Sequence, residues 1–351
     1  MIYRKLGKTN LKISVIGFGA GVLNRDKDPE VSLEKAREVI ELAVSKGVNF
    51  IDIGKEYDEK FLSQAIGRVR KKIHVISRSE ARNVTEMKKD INESIKKLKP
   101  TIYEITVNSI EDLKEKKDVI EVLKEAKVNG KIKFIGIFSH RIDVLKEAIK
   151  TNEFDVIMTL YNAVHRKAEE IFPLKRKYGF GFIAVAPFAT GILVDPKYDK
   201  NVHIPGSEFM TAENALKFVL SSPYVDATVI GMKNIQHIEE NVKIASIDWK
   251  IDESERTKIT KRAEKFLGNN FCRMCRYCEG HPPGVSVADI LRLFIIGKRY
   301  GYLNFAKWQY LSLKEKIFNK NFKESEKFCP YNLPINKLIL TFQKIMENYS
   351  V

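Results

Sequence analysis

Three of the four cysteines of this chain share one short segment. Cys272, Cys275 and Cys278 lie in FCRMCRYCEGHPPG (271–284), and Cys329 follows far downstream in FCPYNLP. Thiolates three residues apart on a loop can each reach a different iron of one cubane, whereas a tetrahedral zinc is usually held by Cys-x-x-Cys pairs from two separate segments. The spacing therefore predicts a [4Fe-4S] site. Two alternatives stay open: a zinc site completed by His281, and buried cysteines that bind no metal.

The composition is that of a globular protein. The chain has 351 residues, of which 44% are hydrophobic, enough for one large or two modest domains. Its first residues lack a signal-peptide pattern, and no segment approaches the roughly 20 apolar residues that a membrane span requires. We therefore expect a cytoplasmic protein with no membrane span, in which clustered cysteines indicate metal rather than disulfides.

The positive charge is concentrated toward the end of the chain. The net charge is +16, and residues 266–351 carry 13 Lys and Arg against 6 Asp and Glu. A basic tail suits an acidic electron-transfer protein, an anionic lipid or a nucleic acid, although many basic surfaces are simply solvated. The tail contains neither a groove-reading helix nor an RNA-binding motif, so a nucleic acid is the partner we expect least.

A short apolar run followed by a helical pattern recurs eight times. The predicted strands are 13–18, 49–53, 72–77, 103–107, 133–138, 155–160, 181–186 and 227–232. The predicted helices are 32–46, 59–68, 85–97, 111–128, 141–151, 166–178, 211–221 and 234–246. Apolar strands with helical crossovers indicate a parallel sheet buried on both faces, and eight such units close a (β/α)8 barrel.

The predicted fold class is thus α/β: a TIM (β/α)8 barrel over 1–265, followed by a small, mostly helical domain over 266–351. Helices are expected in the tail near 286–298, 303–318 and 335–348. In such barrels the active site lies at the carboxyl ends of the strands. A long loop over Val194 to Met210 follows the seventh strand and could cover a pocket there.

Several segments together resemble the aldo-keto reductase family over Met1 to Ile247. They are YRKLGKTNLKISVIGFGAG, KGVNFIDIGKEYDEKFLSQAIG, GKIKFIGIFSH, EFDVIMTLYN, GFIAVAPFATGIL and VIGMKNIQHIEEN. The tail resembles the ferredoxin-like 4Fe-4S extension of one bacterial and archaeal branch of that family. The resemblance implies an oxidoreductase that reduces a small carbonyl substrate with NAD(P)H.

The resemblance also assigns a catalytic tetrad, which this sequence alters. The family's Asp and Tyr fall on Asp52 and Tyr57, its Lys on Arg78, and its His on Ser109. Arg78 keeps the positive charge that lowers the pKa of the phenol, but Ser109 has no ionisable group. We expect reduced or altered chemistry. The alternative is that Asp52 and Arg78 form a buried ion pair and Tyr57 merely lines the pocket.

The cofactor residues are likewise implied by the resemblance. Ser139 and Asn162 would meet the nicotinamide amide, and Glu240 and Asn241 the adenine. The pyrophosphate would lie near Gly191, Gly231, Lys233 and Asn234. The family's Arg for the 2′-phosphate falls on Asn234, and Lys233 could compensate, so NADP is slightly preferred to NAD; flavin is a further possibility.

The cysteines can be compared with the two-cluster ferredoxin pattern, in which the fourth Cys of each run binds the other run's cluster. On that pattern the missing cysteines fall on Pro282, Asn319, Phe322 and Ser325, which together form the complete ligand set of one cluster. Cys272, Cys275, Cys278 and Cys329 form the complete set of the other. One cluster is therefore expected, unless Cys329 is a free buried thiol beside a [3Fe-4S] site.

Two functions follow from these features. The first is a carbonyl-reducing oxidoreductase that carries one [4Fe-4S] cluster. Because a hydride carries two electrons and one cluster takes one, a conducting cluster would require a further carrier. The second is a catalytically degenerate barrel whose structural or sensing cluster accompanies binding to a protein partner.

Overall fold

The computed structural model describes residues 1–23, 31–54, 57–194 and 206–349. The chain divides into two compact units. The first comprises Met1–Tyr161, Lys167–Pro187 and Val219–Lys250, and the second comprises Asn162–Arg166, Phe188–Phe218 and Ile251–Val351. The domain boundary expected at residue 266 stays a prediction.

The first unit is a closed barrel of eight parallel strands, as the repeating strand and helix pattern predicts. A short hairpin of β1 (Tyr3–Lys5) and β2 (Lys12–Ser14) precedes it. The barrel strands are β3 (Ile16–Gly19), β4 (Phe50–Ile53), β5 (His74–Ser79), β6 (Ile102–Thr106), β7 (Phe134–Phe138), β8 (Val156–Leu160), β9 (Gly181–Val185) and β10 (Ala227–Ile230). β10 pairs with β3 and closes the barrel.

Helices connect the strands of this unit. They are α1 (Leu33–Ser45), α2 (Glu59–Ala65), α3 (Val84–Lys97), α4 (Ile110–Glu115), α5 (Lys117–Val128), α6 (Ile142–Thr151), α7 (Phe172–Tyr178) and α9 (Ile235–Ile244), whereas α8 (Ala212–Leu220) falls mainly in the second unit. Polar N-cap side chains mark where several of them begin: Ser32 accepts from the Lys35 N–H and Asn83 from the Glu86 N–H.

The helix predicted over 111–128 is two helices, because the chain leaves helical geometry at Lys116. The side chain of Lys116 is buried: its Nζ donates to the Thr106 carbonyl at 2.7 Å and lies 3.1 Å from Asp112. The sequence pattern predicts that Lys116 faces solvent on one continuous helix, but its charged side chain points into the protein where the two helices meet.

The interior of the barrel is apolar at the amino ends of the strands. Phe50, Ile76, Ile102, Val156 and Ile183 are all at most 1% exposed and form one cluster there. Alternate residues along each strand face this interior, so the next inward layer includes Asp52, Arg78 and Glu104. The polar layer therefore lies toward the carboxyl ends of the strands.

The second unit is mainly helical. Its helices are α10 (Glu253–Leu267), α11 (Val287–Tyr300), α12 (Leu303–Ile317), α13 (Lys323–Lys327) and α14 (Ile335–Asn348), with short 3-10 turns at Ala189–Gly191 and Ser207–Phe209. The three helices predicted in the tail are present, whereas α10 and α13 are not predicted by the sequence pattern. α11 is buried on most of its circumference, and its Phe294 packs on Phe342 of α14 with ring centroids 5.8 Å apart.

Two further expectations concern segments of the chain. Among the described residues, no helix is both long and apolar enough to cross a membrane. The loop predicted over Val194 to Met210 falls mainly on residues 195–205, which lie outside the described part of the chain.

One barrel glycine gives a direct test of interior packing. A Cβ added at Gly17 would lie 2.2 Å from the ring of Phe50, so we expect Gly17→Ala to reduce the free energy of unfolding by about 1–3 kcal/mol through overpacking. Urea unfolding measures this loss. Gly67→Ala is the matched control, because its Cβ would meet nothing closer than 3.4 Å, and it should change stability by less than about 0.5 kcal/mol. Equal effects at both sites would contradict this packing.

Candidate active site and cysteine site

Three charged side chains meet inside the barrel. Arg78 Nη2 lies 3.0 Å from Asp52 Oδ1, and Arg78 Nε lies 3.1 Å from Glu104 Oε2. The register of the sheet brings them together, because Arg78 is the Cα partner of Glu104 and both follow the inward alternation of their strands. Their exposures are 5% for Asp52, 6% for Arg78 and 0% for Glu104, so this is a fully desolvated cluster.

The guanidinium of Arg78 is held on its remaining sides as well. Its Nη2 lies 3.3 Å from the sulfur of Met158, and its Cζ lies 4.3 Å from the ring centroid of Phe138. Gly136 of β7 leaves the space that Glu104 fills, since a Cβ there would lie 2.6 Å from Glu104 Cγ. The arginine is therefore fixed by its neighbours rather than free to follow a substrate.

Burial raises the pKa of Glu104 to about 7. The positive charge of Arg78 lowers this pKa, and the Asp52 carboxylate raises it, but burial is the largest effect. One guanidinium cannot compensate two fully buried carboxylates. Near neutral pH a substantial fraction of Glu104 thus holds a proton, and Arg78 is then matched by Asp52 alone.

Glu104 was not among the residues predicted from the sequence. Its only signal there is a carboxylate inside an otherwise apolar strand, IYEIT, two strands from Asp52. Two buried atoms on the inward side of this strand, Glu104 Oε1 and Thr106 Oγ1, have no hydrogen-bond partner within the described part of the chain. Polar atoms left unpaired beside a charged cluster mark a place where a polar group of a ligand can be accommodated.

The other two residues that the resemblance assigns to the tetrad are Tyr57 and Ser109. The hydroxyl of Tyr57 lies against Gly21, where an added Cβ would come within 2.6 Å of it. Ser109 lies beyond the end of β6, and its hydroxyl accepts from the Asp112 N–H at 3.0 Å as the N-cap of α4. The residue that ends β6 is Thr106. The structure thus gives Ser109 a capping contact, and its catalytic role stays a prediction.

The cofactor residues of the first unit have different surroundings. Ser139 is buried, and its Oγ accepts from the Arg141 N–H at 3.1 Å. A Cβ on Gly231 would lie 2.2 Å from the Val22 side chain, which therefore packs on this glycine. Asn234 caps α9, accepting from the His237 N–H at 2.8 Å.

Lys233 just before α9 and Glu240 within it are exposed, whereas Asn241 is buried. Burial lowers the pKa of His237; the nearby Glu240 raises this pKa, and Lys233 lowers it further. Asn241 is 4% exposed, and its Oδ1 has no hydrogen-bond partner among the described residues. An unpaired buried amide oxygen is suited to accept from an amino group such as that of adenine.

Asn162 and Gly191 belong to the second unit. Asn162 Oδ1 accepts from the N–H groups of Val164 and His165 at 3.1 and 2.9 Å, forming a tight turn. Gly191 has φ 92° and follows Thr190, whose carbonyl accepts from Arg292 Nε at 2.7 Å.

All four cysteines lie in the second unit, and none forms a disulfide. Each is buried, with exposures from 5% to 8%. Burial raises the pKa of Cys272, and it raises the pKa of Cys275 to about 11 and that of Cys278 to about 12. Charge on other cysteines of the group raises each of these three pKa values further. The four sulfurs are thus near enough to interact electrostatically.

The backbone around the cysteines points N–H groups at sulfur. The Met274 N–H donates to Cys272 Sγ at 3.4 Å, and the Leu333 N–H to Cys329 Sγ at 3.5 Å. Met274 and Arg276, which alternate with the cysteines, have positive φ of 58° and 60°. Within the described residues, no group of three His, Cys, Asp or Glu side chains is arranged around a single metal ion.

Two of the four positions where the two-cluster pattern expects further cysteines are buried, whereas Asn319 is exposed. Phe322 and Ser325 are 1% and 0% exposed, and the Ser325 hydroxyl donates to the His281 carbonyl. The His281 ring stacks on Phe328 with centroids 4.5 Å apart. Elsewhere in this unit, the Tyr331 hydroxyl and His165 Nδ1 share a hydrogen bond of 2.7 Å, which links the segment after Cys329 to the Asn162 turn.

The closed barrel of eight parallel strands agrees with the family comparison. The aldo/keto reductase family model matches residues 15–211, and the chain belongs to this family. Its class is therefore an oxidoreductase built on a (β/α)8 barrel.

Relatives extend this likeness along most of the barrel. The chain is 25% identical over 285 residues to the uncharacterized oxidoreductase YqkF of Bacillus subtilis, covering 69% of this chain and 90% of that protein. It is 24% identical over 283 residues to L-galactose dehydrogenase of Arabidopsis thaliana, covering 68% and 86%. Among solved structures, the holo form of aldo-keto reductase AKR11C1 from Bacillus halodurans matches with a TM-score of 0.63 and 25% identity, covering 75% of this chain and 96% of that one.

The raised pKa of Glu104 makes stability depend on pH. Because this pKa is about 7 in the fold against an ordinary 4.5, the fold gains from the bound proton below about pH 4.5 and loses that gain as pH rises toward 7, by up to about 3 kcal/mol. Glu104→Gln cannot ionise, so its stability relative to the unchanged protein should increase between pH 5 and 8. Urea unfolding at several pH values measures the difference, with Glu111→Gln on the exposed α4 as control. A constant difference across this range would show that Glu104 is not the titrating group.

Proposed function

We propose that this protein reduces a small carbonyl compound with NAD(P)H, with Tyr57 as the proton donor and an altered set of supporting residues. The observation that carries the proposal is the buried contact of 3.0 Å between Arg78 and Asp52. These residues occupy the positions of the family's Lys and Asp, and they retain the pairing of a cation with a carboxylate inside the barrel. A buried cation paired with a carboxylate inside the barrel supports reduction of a small carbonyl compound better than the other functions considered.

The chain's own residues would divide the work as follows. Tyr57 donates its phenolic proton to the carbonyl oxygen, while the carbonyl carbon accepts the hydride. The bound cofactor, NADPH or NADH, supplies that hydride and becomes oxidised as the carbonyl becomes an alcohol. Arg78 would stabilise negative charge on the reacting groups most when Glu104 is protonated, because an ionised Glu104 would offset the charge of the guanidinium.

The barrel residues fit a nicotinamide cofactor in part. The buried, unpaired Oδ1 of Asn241 is suited to an adenine amino group, and the exposed Lys233 could pair with a 2′-phosphate, which favours NADP over NAD. Ser139 would meet the nicotinamide amide. Val22 packs on Gly231, so the pyrophosphate contact expected there has the weakest support, and a flavin remains an alternative cofactor.

We further propose that Cys272, Cys275, Cys278 and Cys329 hold one [4Fe-4S] cluster. Four buried thiols that influence one another, with backbone N–H groups directed at two of the sulfurs, support this assignment. Among the described residues, no group of three His, Cys, Asp or Glu side chains is arranged around one metal ion, so metal analysis rather than this geometry distinguishes a cluster from a zinc ion. A lone cluster carries one electron, so a structural or sensing role suits it better than direct coupling to hydride transfer.

A second candidate function has its own observation. Arg78 is shared between two carboxylates, which weakens its effect on Tyr57, and α12 leaves Trp308 and Leu311 66% and 56% exposed. Exposed apolar side chains beside the lysines of α12 would suit an acidic protein partner. On this view the barrel is catalytically degenerate and the cluster supports binding.

Replacement of the proton donor separates these two functions. Tyr57→Phe should reduce kcat for NADPH-dependent carbonyl reduction by roughly 10²–10⁴-fold, since no other phenol takes its place. Turnover of a panel of small aldehydes, quinones and ketones is followed by NADPH absorbance. Tyr178→Phe, in the last turn of α7, is the control and should leave the rate unchanged. Unchanged turnover in Tyr57→Phe would remove this residue from the mechanism.

Metal analysis tests the cluster. Anaerobically purified protein should be brown and contain about four iron and four sulfide per chain. Cys329→Ser should lose iron, whereas Ser325→Cys, which restores a single missing cysteine, should keep the same iron content because its three companion positions hold no thiol. Colourless protein with stoichiometric zinc would contradict the cluster assignment without affecting the outcome for Tyr57.

A further inference from the structure

A basic cleft lies in the second unit, where α10 and α11 meet. It has a volume of roughly 480 Å³. Its lining residues are Gly206, Phe209, Arg262, Lys265, Phe266, Lys298 and Arg299. Four cations and two aromatic rings thus face one space, and no carboxylate is among the described residues that line it. We refer to it as the Arg262–Arg299 cleft.

Within the part of the chain that the structure describes, no carboxylate pairs with the cations of this cleft. Among the ion pairs of the described residues, none includes Arg262, Lys265, Lys298 or Arg299. Other arginines of the same unit do pair: Arg273 with Glu264 at 3.0 Å, and Arg276 with Asp289 at 2.9 Å. The carboxyl end of α10 attracts cations, but a helix dipole is equivalent to only about half a charge, which is far less than four cations.

Both arginines of the cleft are held in defined positions. The guanidinium of Arg262 lies with its Cζ 4.2 Å from the ring centroid of Phe209. Arg299 lies directly over Gly268, where an added Cβ would come within 1.9 Å of its Nη2. Gly268 has φ 85°, a conformation that favours glycine, and the missing side chain makes room for the guanidinium. Fixed, planar guanidinium groups are suited to bidentate contacts with phosphate.

A second, smaller cleft adjoins this one, because Lys298 and Arg299 line both. Its volume is roughly 220 Å³, and its other lining residues include Asn269, Asn270 and Phe271. Side-chain amides next to aromatic rings offer hydrogen bonds and stacking to a heterocyclic base. Phosphate-binding cations and base-binding groups are thus contiguous.

We propose that the Arg262–Arg299 cleft binds a nucleoside phosphate, with the phosphates on the cations and the base in the adjoining cleft. The four unmatched cations favour a ligand with more than one negative charge. The aromatic and amide groups favour a nucleoside over a bare anion. This proposal does not depend on carbonyl reduction or on the cluster.

Another basic cleft, in the barrel unit, shows what distinguishes this one. It measures roughly 490 Å³ and includes Lys71, Lys72, Lys131 and Lys133. Its Arg70 donates to the carbonyls of Leu98, Lys99 and Ile73, so that guanidinium is already used within the fold. No Phe, Tyr or Trp is among its described lining residues. This cleft therefore carries positive charge but has neither an aromatic ring nor a guanidinium available to a ligand among its described lining residues. It is a matched control for the Arg262–Arg299 cleft.

Isothermal titration calorimetry of the full-length protein at low ionic strength tests the proposal with three probes: ADP, inorganic pyrophosphate and adenosine. ADP should bind more tightly than pyrophosphate, and adenosine should bind weakly. Arg262→Ala/Arg299→Ala should weaken ADP binding by at least about tenfold, and Arg262→Lys/Arg299→Lys, which keeps the charge but loses the planar contacts, should give an intermediate loss. Lys131→Ala/Lys133→Ala in the other basic cleft should leave ADP binding unchanged.

The barrel's own cofactor residues provide the decisive comparison. Asn241→Ala should weaken NADPH binding but not ADP binding in the Arg262–Arg299 cleft. The proposal is overturned if ADP does not bind, if pyrophosphate binds as well as ADP, or if ADP affinity falls in Asn241→Ala but not in either arginine double variant. Thermal unfolding of Arg262→Ala/Arg299→Ala and of Arg262→Lys/Arg299→Lys is measured as well. An unchanged unfolding temperature in both variants excludes misfolding as the cause of weaker ADP binding.

Discussion

The contact on which the barrel interior depends is the sharing of one guanidinium between two buried carboxylates. Arg78 lies 3.0 Å from Asp52 and 3.1 Å from Glu104, and all three side chains are buried. Removing one partner of a buried ion pair typically costs about 3–5 kcal/mol, because an uncompensated charge remains. The three residues therefore act as one group, and the proton on Glu104 decides whether the net charge of the group is zero or negative.

The layout of the barrel was predictable because it rests on periodicity. Apolar runs such as KFIGIF and GFIAVA alternate with amphipathic helices, and this pattern is sufficient to predict eight parallel strands. Asp52 and Arg78 could be placed at strand ends for the same reason. Glu104 could not be predicted as a site residue, since its importance comes from sheet register with Arg78 and from the space left by Gly136, which are properties of the closed barrel.

Two residues that the resemblance assigns to the site are also helix caps, and their roles at the site stay predictions. The strand β6 ends at Thr106, and Ser109 caps α4. Asn234 similarly caps α9. Both are short polar residues just before helices, so the capping contact was visible in the sequence as a helix start signal. A residue that satisfies a helix end has less freedom to contact a ligand.

The packing of the second unit bears on how many clusters can be proposed for it. Of the four positions where the two-cluster pattern expects further cysteines, Phe322 and Ser325 are 1% and 0% exposed, whereas Asn319 is exposed. Ser325 donates to the His281 carbonyl, and the His281 ring stacks on Phe328. An aromatic side chain and a satisfied hydroxyl occupy that region, whereas the four remaining thiols stay grouped and buried. A cysteine restored at position 322 or 325 would therefore have to displace packed side chains before it could bind iron. This packing supports the proposal of a single cluster site in this unit.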